Sequence, residues 1–84
     1  YRKAIGELNW AIELRPDNCY AFAKLSRTYA AQYLNSATSD PRRSDYSKKA
    51  VEMYAKASAT ATSEPRRLKW LKQYLVKNGI LDGL

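Results

Sequence analysis

Six residues recur in one register. Ala4, Leu8, Ala11, Phe22, Leu25 and Tyr29 are followed 46 positions later by Ala50, Tyr54, Ala57, Leu68, Leu71 and Leu75. A repeat at this distance describes units that cannot cover their own apolar faces and do so by stacking on one another. The steps inside each unit, four and three residues between Ala4, Leu8 and Ala11, put those side chains on one face of a helix. The chain therefore reads as all-α, built of antiparallel helix pairs stacked into a superhelix.

Four helical stretches carry the pattern. The first runs from about Tyr1 to Leu14, with Ala4, Ile5, Leu8, Ala11 and Ile12 on one face. Arg15-Pro16-Asp17-Asn18 ends it, because the residue before a proline avoids the helical region, and Asp17 or Asn18 can cap the next helix. The second runs from about Cys19 to Ala37 on Phe22, Leu25, Tyr29, Tyr33 and Leu34. After the polar break Thr38–Ser44, a third spans Asp45 to Thr60, with Ser44 as cap and Ala50, Val51, Tyr54, Ala57 and Ser58 on one face. The fourth covers Pro65 to Lys77, with proline in the first turn and Asn78-Gly79 as its stop. Ile80–Leu84 reads as a short extra turn or the beginning of another helix. Small alanines at 4, 11, 50 and 57 let helices approach, and the bulky Phe22, Leu25, Tyr29, Leu8 and Tyr54 fill the space between.

Within this frame Phe22-x2-Leu25-Ser26-x2-Tyr29 resembles the tetratricopeptide signature W-x2-L-G-x2-Y, and Ala4-x3-Leu8-x2-Ala11-x4-Pro16 resembles the second-helix half of the same repeat. The resemblance implies that residues 1–16 are the second helix of one repeat. Residues 17–62 are then one extended repeat, and 63–84 the first helix of a following repeat or a capping helix. The chain departs from the family in its period, since 46 residues exceed the usual length of about 34. The excess falls between Tyr29 and Ser47. Ser26 and Lys72 stand at the small glycine position, where a serine fits a close helix contact and a lysine fits only if its stem turns outward. Roughly 40–47 residues is also the period of HEAT and armadillo repeats.

The resemblance further implies a function. Repeats of this kind bind partner proteins on the concave side, lined by the first helix of each repeat. On the second helix that face carries Asp17, Tyr20, Ala23, Arg27 and Ala30, and the positions 46 later on the fourth give Ser63, Arg66, Lys69, Gln73 and Val76, with Lys24 and Lys77 nearby. Tyr20, Lys24, Arg27, Arg66, Lys69 and Gln73 are the candidate binding residues. A basic groove with an aromatic anchor suits an acidic or C-terminal-carboxylate peptide. In chaperone-binding members of the family an asparagine clamps the carboxylate; Lys24 occupies that position here.

Charge leaves a second class open. Fifteen Lys and Arg against eight Asp and Glu give +7, and Arg42-Arg43, Lys48-Lys49 and Arg66-Arg67 with Trp10, Trp70 and the tyrosines could track and stack RNA. A third is purely structural: the apolar side of the first helix, around Ile5, Trp10 and Ile12, would seek a neighbour, another repeat or a second copy of the chain.

Chemistry is sparsely provided for. There is no histidine, so the commonest acid–base residue and metal ligand is missing. Cys19 has no histidine to activate it, Gly6, Gly79 and Gly83 form no phosphate loop, and the acids are scattered. No catalytic residue, metal or cofactor is expected, and Cys19 reads as a small residue at a helix start. One cysteine and no membrane-length apolar run, about 18 residues, fit a cytoplasmic location. A chain starting at Tyr1 reads as a piece of a longer one.

Overall fold

The computed structural model describes residues 2–60 and 65–81. It is all-helical, with α1 at Arg2–Leu14, α2 at Cys19–Asn35, α3 at Arg43–Thr60 and α4 at Pro65–Lys77. The helices form a slab of 38 × 31 × 13 Å. No strand occurs among the described residues.

Helix α2 is the hub. It packs against each of the other three, α3 and α4 also touch each other, and α1 meets α2 alone among the described residues. The reason lies in α2's composition. Ala21, Phe22, Leu25, Ser26, Tyr29 and Ala30 are all buried, covering more than one face of the helix. Only an element surrounded on several sides buries so wide a stripe. With α3, α2 makes the core of Leu25, Tyr29, Ala30 and Ala50, to which α4 adds Leu71 and Leu75. Ile5, Leu8 and Ile12 of α1 pack on this cluster from the other side.

Two hydrogen bonds fix the direction of α3 against α2. Cys19 Sγ donates to the Ala57 carbonyl over 3.3 Å, and Ser26 Oγ donates to the Ala50 carbonyl over 2.6 Å. Seven residues forward on α2 correspond to seven backward on α3, so the two run antiparallel. Ala50 and Ala57 are both fully buried, and their small side chains permit that approach. Cys19 is thus a helix-start residue at an interhelical contact.

The ends of the helices follow from local chemistry. Of the two candidate caps for α2, Asn18 is used: its Oδ1 accepts from the Ala21 N–H at 3.1 Å. At the far end α2 stops at Asn35, two residues before the expected Ala37, because Ser36 turns to an extended conformation and its N–H bonds the Tyr33 carbonyl. Helix α3 starts two residues early, at Arg43. Ser44 is not its cap but lies within the helix; upstream, the Asp40 carboxylate accepts the Arg42 N–H at 2.9 Å. Helix α4 closes as Asn78-Gly79 promised. Gly79 takes φ +74°, its N–H bonds the Val76 carbonyl, and the Ile80 N–H reaches back to Leu75 at 2.9 Å. That pairing is a Schellman stop, with Ile80 packed on the cluster that holds Leu75.

The repeat positions divide in an instructive way. Leu25 and Leu71 are 1% and 2% exposed, and Tyr29 and Leu75 are both buried. Ala4 is exposed where Ala50 is buried, because it lines the open cleft between α1 and α2. Phe22 is buried and Leu68 half-buried. Ser26 is buried whereas Lys72 is exposed, so the lysine points outward. The predicted apolar side of α1 needs correction. Ile5 and Ile12 face the core, and the exposed apolar pair is Trp10 with Leu14. On α3, Met53 packs inward and Ser58 is exposed. The boundary at 62/63, Tyr1 and residues 82–84 lie outside the described residues.

Candidate binding cleft between α2 and α4

Tyr20, Lys24 and Arg27 are spaced by four and three residues, so α2 presents them as one stripe. All three are exposed. With Ala23 of the same helix and Trp70 and Leu71 of α4 they line a cleft of about 270 Å³. Its base is apolar, from Ala23 and the buried Leu71, and its walls carry rings and cations.

The cations rest on the rings. Lys24 Nζ lies 5.4 Å from the centre of the Tyr20 ring, and the Arg27 guanidinium lies 5.4 Å from the centre of Trp70. Trp70 in turn stacks on Tyr74, with centroids 5.5 Å apart and planes 7° from parallel. Each cation is held by the negative face of a ring, worth about 0.5–1 kcal/mol at an exposed site. Among the described residues, no carboxylate pairs with Lys24 or Arg27; the ion pairs are Arg42 with Asp40 and Lys56 with Glu52. The described lining of the cleft thus carries two cations held by rings and by no described carboxylate.

A second cleft of about 390 Å³ lies between α1 and α2. It shares Lys24 and Arg27 and adds Glu7, Leu8 and Thr28. The two cations thus stand on the crest of α2, flanked by a cleft on each side.

Three of the six site residues taken from the sequence, Tyr20, Lys24 and Arg27, meet in the α2–α4 cleft. Two of the other three do not join them. Lys69 and Gln73 are exposed on α4 but do not line the cleft, and the side chain of Arg66 lies outside the described residues. The cause is geometric. A shift of 46 residues selects the same flank of each helix, whereas a cleft between neighbours is lined by opposite flanks. The α4 residues that face α2 are the equivalents of α2 residues facing α1: Lys24 maps to Trp70 and Thr28 to Tyr74. Ala30, also assigned to the groove face, is instead fully buried in the core. Trp70, 52% exposed, is the wall residue that the shift did not select for the groove.

No protein-family model matches the chain, and no curated protein or solved structure matches it. Among the described residues no helix is long and apolar enough to cross a membrane, and no three His, Cys, Asp or Glu come together as a metal site.

Proposed function

We propose that this chain is a protein-interaction module of the tetratricopeptide type, and that it holds an acidic peptide segment of a partner along the α2–α4 cleft. The observation that carries the reading is the pair Lys24 and Arg27. They line a formed cleft beside an exposed tyrosine, with no described carboxylate within ion-pair distance of either. A carboxylate entering the cleft would exchange a cation–ring contact for a charge-assisted hydrogen bond, which is about twice as strong as a neutral one. Tyrosine and arginine are also the side chains that most often dominate interface energetics. The likeness of Phe22, Leu25, Ser26 and Tyr29 to the family signature supports the same reading.

RNA is the second reading, favoured by one observation: Trp70 is half exposed beside Arg27, an arrangement on which a base could stack. Titration with a fluorescent acidic peptide separates the two. In the peptide reading Arg27→Glu and Lys24→Glu each weaken binding by about tenfold or more, as does Tyr20→Ala, while Lys69→Glu and Lys48→Glu, equal in charge change and outside the cleft, shift it by less than about threefold. An RNA ligand would respond to all four charge reversals alike, and its affinity would fall steeply with salt. That pattern, or no binding of acidic peptide at all, rejects the peptide reading.

A further inference from the structure

We infer that the peptide held in the cleft carries an aromatic side chain beside its acidic residues, and that Trp70 is the residue that reads it. The inference rests on the peptide reading above and names the ligand's second requirement. Lys24 and Arg27 account for attraction of acid, but they do not account for Trp70. A tryptophan 52% exposed on a helix leaves a large apolar ring partly against water. Here the ring is positioned rather than loose: the parallel Tyr74 ring supports it, and Arg27 lies over it. Tyr74 itself packs on the core cluster, so the stack is anchored to the fold.

The same arrangement gives the two requirements one origin. Arg27 lies over Trp70, and no described carboxylate draws it elsewhere. An acidic residue of the ligand that pairs with Arg27 moves the guanidinium off the indole. The uncovered ring then accepts an aromatic side chain in an offset or edge-on contact, the geometries that ring quadrupoles favour. Charge complementarity thus admits the peptide, and the aromatic contact selects among acidic sequences. An acidic peptide without a ring would take the first contact and miss the second.

Two peptides test this, identical in length and acidic residues, one with a central Phe and the other with Ala at that position. Each is titrated against the wild-type chain and against Trp70→Ala, a change at an exposed position whose folding is checked by circular dichroism. The wild type should bind the Phe peptide about three- to tenfold tighter than the Ala peptide. Trp70→Ala should bind both peptides equally, at the wild type's affinity for the Ala peptide. Equal wild-type affinity for the two peptides overturns the inference and leaves the acidic cleft standing. So does a preference that survives in Trp70→Ala. Failure of both peptides to bind overturns the parent reading and this one together. Tight, salt-sensitive binding of a single-stranded oligonucleotide that is lost in Trp70→Ala would reassign the ring to base stacking and overturn it as well.

Discussion

The Ser26 hydroxyl donates to the carbonyl of Ala50 over 2.6 Å at a point where both residues are fully buried. The contact ties the middle of α2 to α3 and uses the smallness of both side chains. Removing the hydroxyl in Ser26→Ala should cost about 1 kcal/mol, the net worth of an intramolecular hydrogen bond. Ser26→Leu should cost more, about 3 kcal/mol, because four heavy atoms must enter a space that holds two. Lys72→Ala, at the equivalent but exposed position, should stay within about 0.5 kcal/mol of wild type. Urea midpoints at constant slope measure all three. Equal tolerance of Leu at 26 would contradict a close α2–α3 contact there.

Leu25 and Leu71, 46 residues apart and almost equally buried, should behave as equivalents. Leu25→Ala and Leu71→Ala should each destabilise by about 2–5 kcal/mol. Leu34→Ala, at a side chain 40% exposed, should cost under about 1 kcal/mol. The same denaturation series checks this, and a neutral Leu71→Ala would detach α4 from the core.

The two described glycines should respond with opposite signs. Gly79 has φ +74° at the end of α4, a conformation that costs an L side chain about 1–2 kcal/mol. Gly79→Ala should destabilise accordingly. Gly6 lies within α1, and an added Cβ there meets nothing within 4 Å. Gly6→Ala should stabilise by about 0.5–1 kcal/mol through helix propensity. Thermal melts of the two variants give the comparison directly.

Much of the fold was legible because its signals are local. Asn18, the Pro65 start and the Asn78-Gly79 stop each act through backbone geometry within a few residues, and the periodic leucines and alanines mark the inward faces. Two kinds of information were not local. Among the described residues helix α1 has its inward face chosen by contact with α2 alone, and Ala4 lines the open cleft between them, so it is exposed although its pattern equals that of Ala50. Ile5 and Ile12 turn inward for the same reason, and Trp10 stays out. The cleft was half visible for a related cause. Tyr20, Lys24 and Arg27 form a stripe that spacing reveals, but the opposite wall depends on which flank of α4 meets α2. The repeat shift names the same flank twice and so points to Lys69 and Gln73. Trp70 could have been found by shifting the flank of α2 that faces α1.

Acidic peptide is expected to enter between α2 and α4, and the chain's two tryptophans report on that entry separately. Trp70 walls the cleft, while Trp10 stands on α1, 64% exposed and outside it. In a titration of the ¹⁵N-labelled chain with an acidic peptide, the Trp70 indole N–H resonance should move together with the amides of Tyr20, Lys24 and Arg27. The Trp10 indole should stay in place. Movement of Trp10 alone, or of neither indole at saturating peptide, would contradict binding in the cleft.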